Sequence, residues 1–121
     1  MFSTNKLIYI AAPYALPDPV QNTHRAIMVA DELIFDGFIP YIPHLTLLWN
    51  LVSPRNTQFW YDYDLQMLKR CDAVLRVDGA SVGADKEVEL AKEWRIPVFY
   101  SMYDLMVFKR NGSVEGRVAS P

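Results

Sequence analysis

The run Ala73-Val-Leu-Arg-Val-Asp-Gly-Ala-Ser-Val-Gly-Ala-Asp-Lys-Glu-Val-Glu-Leu-Ala91 changes period partway along. Its opening, Ala73–Val77, is a short apolar stretch of the kind found in a buried parallel strand. Beyond the glycine-bearing turn the pattern becomes helical and continues to about Arg95. Turned through ~100° per residue, positions 83–95 sort Asp85, Lys86, Glu89, Lys92 and Glu93 to one side and Ala84, Val88, Leu90, Ala91 and Trp94 to the other. Glu87 falls near the middle of the apolar side, with Ala84 at i−3 and Ala91 at i+4. A carboxyl group there is either neutralised in the core or points into a cleft. Small neighbours and a place in the first two helical turns favour the cleft.

Working outward, the same alternation recurs. Leu7–Ile10, Phe38–Ile42 and Pro97–Tyr100 read as strands, and residues 20–36, 58–70 and 103–109 read as helices. In the first helix Ile27, Ala30, Leu33 and Ile34 share a face, and Gly37 suits the residue just past its end. Pro40 cannot donate to a ladder, which puts the second strand at an edge. Residues 45–56 show no clear period; a fifth, edge strand could lie there or in the tail. Strands alternating with helices imply right-handed βαβ units. The expectation is a flavodoxin- or Rossmann-like α/β domain over residues 1–110, with a parallel sheet of four to five strands in the order 2-1-3-4 and helices on both faces. Residues 111–121 read as an irregular tail. Such sheets bind ligands beyond the carboxyl ends of their strands. The segments there are Ala11–Tyr14, Pro43-His44 and Asp78–Gly83, which gathers Tyr14, His44, Asp78, Ser81 and Glu87 in one cleft.

Composition narrows the function. The chain has 121 residues, 51% apolar and 21% charged with a net charge of −2, which excludes disorder and offers no basic surface for polymeric nucleic acid. Cys71 is the single cysteine, so no internal disulfide forms, and no Cys/His cluster has metal-ligand spacing. The apolar run Leu7–Ala12 is too short for a signal peptide or a membrane span. The expectation is a soluble cytoplasmic protein with no metal and no cofactor.

Several residues admit two readings. Gly79, Ser81 and Gly83 could hold an anion at a helix N-terminus, or Ser81 could simply cap the helix while the glycines turn the chain. His44 after a strand is more often a hydrogen-bonded wall residue than a base. Asp72 reads as structural and Asp62 as support for a helix N-terminus. Asp64 shares a face with Tyr61 and Leu68, which marks it for a site. The aromatics Trp49, Phe59, Trp60, Tyr61 and Tyr63 suit a core or a contact between subunits.

Three segments in order resemble the nucleoside 2-deoxyribosyltransferase superfamily, including the deoxynucleoside monophosphate N-glycosidases. Ile8-Tyr-Ile-Ala-Ala-Pro-Tyr14 is similar to that family's first strand and loop, with Tyr9 matching its strand tyrosine. Asp64-Leu65, eight residues before Asp72, is similar to its aspartate motif. Ser81-x-Gly83-x-x-x-Glu87-x-x-x-Ala91 is similar to the stretch carrying its catalytic glutamate. Small members of the superfamily also share an asparagine in the first helix, here Asn22, and the Pro-His after strand two.

The resemblance implies cleavage of a nucleoside N-glycosidic bond. Glu87 would attack or stabilise C1′, Asp64 would assist the departing base, and Tyr9 would restrain Glu87. Ala11, Pro13, Tyr14, His44, Asp78, Ser81 and Gly83 would surround the substrate, with Ser81 and Gly83 at its 5′ end. It also implies a homodimer or higher oligomer that completes its sites across subunits. Two features point to different substrates. The first loop, Ala11–Pro19, has no Arg or Lys to grip phosphate, as in enzymes for free nucleosides. Ser81 stands where the transferases carry an acid, as in the phosphate users. A non-catalytic nucleotide-binding or sensor module using the same cleft is the alternative, with Glu87 on ribose hydroxyls.

Overall fold

The computed structural model describes residues 1–110, so the reading of the tail lies outside the described residues. Four strands, β1 (Leu7–Ala11), β2 (Ile39–Tyr41), β3 (Ala73–Arg76) and β4 (Val98–Phe99), form one parallel sheet in the order 2-1-3-4. Between them run α1 (Pro19–Phe35), α2 (Thr46–Val52), α3 (Thr57–Leu68) and α4 (Val82–Glu93), and α5 (Met102–Arg110) follows β4. β2 is an edge strand, so Pro40 costs the ladder no internal hydrogen bond. Among the described residues there is no fifth strand. The segment that hid its period is helical: a 3-10 turn at Pro43–Leu45 followed directly by α2. No helix among the described residues is long and apolar enough to cross a membrane.

Alternation along the strands builds two cores. Ile8 and Ile10 of β1, with Ala73 and Leu75 of β3, point to one face and meet Ala26, Ala30 and Leu33 of α1 and Leu105 and Phe108 of α5. Tyr9, Ala11 and Val74 point to the other and meet Leu68, Ala84 and Ala91 from α3 and α4. Fully burying a side chain such as Leu33 contributes roughly 1.5–3 kcal/mol. Ile27 departs from expectation: it is exposed, and Ala26 takes the inward position, so the buried stripe of α1 is rotated by about one residue.

Helix ends follow local chemistry. Asp18 caps α1 by accepting from the Val20 N–H at 3.0 Å, with Pro19 at the first helical position. Gly37 follows its C-cap with φ +93°, where a Cβ would lie 2.4 Å from Ser3 Oγ. Asn56 caps α3 through the Phe59 N–H at 2.8 Å. Asp62 therefore has no capping role; it accepts from Gln58 Nε2 at 2.8 Å within the helix. Asp72 is structural, its Oδ2 accepting from the Leu7 N–H at 2.8 Å just below the β1–β3 ladder.

Candidate functional site

The α3/α4 face of the sheet carries two largely buried carboxyl groups, Glu87 and Asp64. Ser81 caps α4, its Oγ accepting from the Ala84 N–H at 3.0 Å, so the capping reading of this serine holds in the structure. That fixes the rotation of the helix: Ala84, Val88 and Ala91 turn inward and Glu87 comes down among them. Tyr9, wholly buried in β1, donates its hydroxyl to Glu87 Oε2. Burial raises the Glu87 carboxyl to about 7; the Tyr9 hydrogen bond pulls the other way, the nearby Asp64 charge pushes further up, and Arg76 offsets part of that. Tyr9 is itself held well above its ordinary value by burial and by Glu87, so it stays a phenol and a donor.

A second carboxyl–tyrosine pair stands beside the first. Tyr41 at the end of β2 donates to Asp64 Oδ1 of α3 at 3.0 Å. Its ring stacks on that of Tyr9 with centroids 5.6 Å apart. Burial raises Asp64 to about 7 against the lowering effect of the Tyr41 hydroxyl. The Asp64 charge adds to burial in raising Glu87.

The loops above the strands are fastened individually. Asn22 Nδ2 donates to the carbonyls of Tyr14 and Leu16, each at 2.9 Å. His44 is buried in the 3-10 turn with Nε2 2.9 Å from the Pro13 carbonyl. A carbonyl can only accept, so Nε2 carries the proton, and burial keeps the ring neutral by lowering its pKa. His44 is a wall residue, edge-on to Tyr14 at 5.5 Å. Arg76 braces the next loop, donating to the carbonyls of Val77 and Gly79 and to Asp85 Oδ1 at 3.0 Å. Gly79 has φ +121°, and a Cβ there would lie 2.7 Å from Pro13 Cγ, so the two loops touch at a point only glycine permits.

Together these elements enclose a cleft of about 740 Å³ at the carboxyl ends of the strands. Of the sequence-predicted residues, Pro13, Tyr14, His44, Asp64, Ser81, Gly83 and Glu87 line it. Three do not. Tyr9 lies in the core beneath Glu87, Ala11 is buried in the β1–β3 pairing, and Asp78 is exposed on its loop outside the cleft. Gly83 has ordinary backbone, with only Ser81 Oγ 4.0 Å from where a Cβ would be; its contribution is open space.

The opposite wall went unread in the sequence. It is built by Thr46, Leu47 and Asn50 of α2 and by Arg55, Trp60 and Tyr61 around the start of α3. Asn50 Oδ1 ties this wall together, accepting from Trp60 Nε1 at 2.7 Å and from the Arg55 N–H at 2.8 Å. Tyr61 is near enough to Glu87 for that charge to add to burial in raising its hydroxyl. The available signal was the spacing of Arg55 from Phe59 and Trp60, four and five residues ahead, at a helix start marked by Asn56. No group of three or more His, Cys, Asp or Glu that could hold a metal ion occurs among the described residues.

No curated protein matches the chain. Among solved structures, a 2-deoxyribosyltransferase from Bacillus psychrosaccharolyticus has a similar fold, with 19% sequence identity, a TM-score of 0.56, and coverage of 84% of this chain and 80% of that one. The nucleoside chemistry in that protein's description is its own; the likeness is one of architecture. A family model matches residues 6–101, and the chain belongs to the family described as Domain of unknown function (DUF7768).

Proposed function

We propose that this protein cleaves the N-glycosidic bond of a nucleoside or nucleoside monophosphate, as a hydrolase or a 2-deoxyribosyltransferase. The observation that carries the proposal is the pairing of Glu87 with the Tyr9 hydroxyl and of Asp64 with the Tyr41 hydroxyl, both acids lining one cleft. In its ionised form Glu87 attacks C1′; the C1′–N bond breaks and its electron pair leaves with the base nitrogen. Asp64, protonated, supplies the proton that the departing base takes up. Water, or a nitrogen of a second base, then attacks C1′ and gives its proton to the Asp64 carboxylate, while the C1′–O bond to Glu87 breaks and returns the electron pair to its carboxylate. Two acids near 7 let one molecule hold one proton across the pair, the state this cycle requires.

The similar fold of the Bacillus psychrosaccharolyticus 2-deoxyribosyltransferase supports the substrate class. The buried free thiol of Cys71 suits a reducing, cytoplasmic setting. The outer side of α2 exposes Leu48, Leu51 and Val52, and this apolar face supports association of two or more copies. Sedimentation at micromolar protein should give a mass above that of one chain.

The deciding experiment is release of free base from a panel of nucleosides and their monophosphates. Wild-type protein should release base, and Glu87→Gln, which keeps an acceptor for Tyr9, should lose at least roughly 10³-fold in rate. Equal rates would end the reading. Tight binding of a nucleotide with no base release would assign the cleft to a binding module instead.

A further inference from the structure

Arg55 stands on the α2–α3 wall and is the one basic residue lining the cleft among the described residues. Its guanidinium lies over the Phe59 ring, 4.7 Å from the centroid, and 5.6 Å from that of Trp60. Its backbone N–H is tied to Asn50. Ring contacts engage the faces of a guanidinium and leave its five edge N–H donors open. Among the described residues Arg55 has no carboxylate within ion-pair distance, in contrast to Arg76, which pairs with Asp85. The site therefore holds a cation in place without spending its hydrogen bonds.

Asn50 adds to the same donor surface. Both groups that reach its Oδ1, the Trp60 indole and the Arg55 amide, are donors, which fixes the orientation of the side-chain amide. The Nδ2 protons are left over on a residue that lines the cleft. Arg55 and Asn50 thus bring unspent donors to the same cleft that Asp64 and Glu87 line. A planar fork with a second donor beside it is the arrangement that recognises a phosphate. The first loop, where no Arg or Lys occurs between Ala11 and Pro19, offers no such cation.

We propose that Arg55 is the anion-selecting residue of the cleft and that its substrate is a nucleoside bearing a phosphate, held by the Arg55 fork with the Asn50 amide alongside. The identity of the substrate rests on the nucleoside reading given above; the anion selectivity is a separate claim. Recognition from this wall leaves Ser81 and the start of α4 free to cap the helix.

Quenching of tryptophan fluorescence tests it, because the Trp60 ring centroid is 5.6 Å from the Arg55 guanidinium. Deoxynucleosides, their 5′-monophosphates and inorganic phosphate are titrated into wild type, Arg55→Gln and Arg55→Lys. Wild type should bind a monophosphate at least tenfold more tightly than the matching nucleoside, and added salt should erode the difference. Arg55→Gln should abolish that preference with nucleoside affinity unchanged, and Arg55→Lys should keep only part of it. Equal affinities in wild type, a preference that survives in Arg55→Gln, or a loss of nucleoside affinity in that variant would each overturn the assignment. Phosphate binding that needs Arg55, in a protein that binds no nucleoside, would sustain the anion site and remove the nucleoside reading. Base release from nucleosides and monophosphates at equal efficiency would do the reverse. Circular dichroism of both variants should match wild type, since Arg55 is exposed.

Discussion

On the α1/α5 side of the sheet, strand residues such as Ile8, Ile10 and Leu75 meet Leu33, Leu105 and Phe108 in a dry apolar layer. On the α3/α4 side the intervening residues of the same strands bring Tyr9, and Tyr41 beside it, against Glu87 and Asp64. The difference lies in what a tyrosine can do that an isoleucine cannot. Its ring fills the core and its hydroxyl reaches a carboxyl that would otherwise be stranded there. One face is therefore optimised for burial, whereas the other holds two acids at a cost in stability. Each face can be perturbed without touching the other, and the responses should have opposite signs.

The largest effect belongs to the dry face. Leu33→Ala should destabilise by ~2–5 kcal/mol, because Leu33 is fully buried and its neighbours cannot close the gap. Denaturant titration measures it, and base release per folded molecule should be unchanged.

Glu87→Gln should move stability the other way, and only above acid pH. A carboxyl that titrates near 7 when folded and ~4.3 when unfolded gives the folded state the extra proton between those values. Wild-type stability contributed by this group is then present below ~4.3 and is lost as pH rises to about 7. The variant escapes that loss, so it should exceed wild type by something on the order of 2–3 kcal/mol at pH 8 and lose most of that advantage at pH 4. A melting-temperature difference that does not vary with pH would mean that Glu87 is not held at the raised value.

Tyr41→Phe should give the smallest change. It removes the hydroxyl that lowers Asp64, so the Asp64 carboxyl should titrate higher still. Where that acid must be protonated, the alkaline limb of the rate–pH profile should shift upward by about one unit, with a stability loss of ~1 kcal/mol. An alkaline limb that stays in place would detach Asp64 from proton donation.

How much of this could be read in advance depended on whether burial left a period. β1, β3 and α4 are packed by the core, so their apolar residues fall at regular spacing and gave both the strand order and the inward turn of Glu87. Asp64 was found from its face on α3. α2 was opaque because Leu45, Leu48, Leu51 and Val52 are exposed, and apolar residues in water carry no information about which side is in. Arg55 was missed because Ser53-Pro-Arg-Asn56 reads as a connecting loop. Its importance comes from rings on the following turn and from a cleft that only the folded chain assembles. Asp78 and Ala11 were placed correctly along the chain but not in space, since proximity to a strand end does not decide which way a side chain faces.

The α2–α3 wall is held together from within. The side-chain hydrogen bonds of Thr46, Asn50, Asn56, Gln58 and Trp60 all end on residues between Pro43 and Asp62. The wall is thus a cassette: its polar connections are internal, and what it presents to the cleft can be exchanged as a block. Residues on this wall can therefore be replaced together without breaking the hydrogen bonds of Glu87 with Tyr9 or of Asp64 with Tyr41.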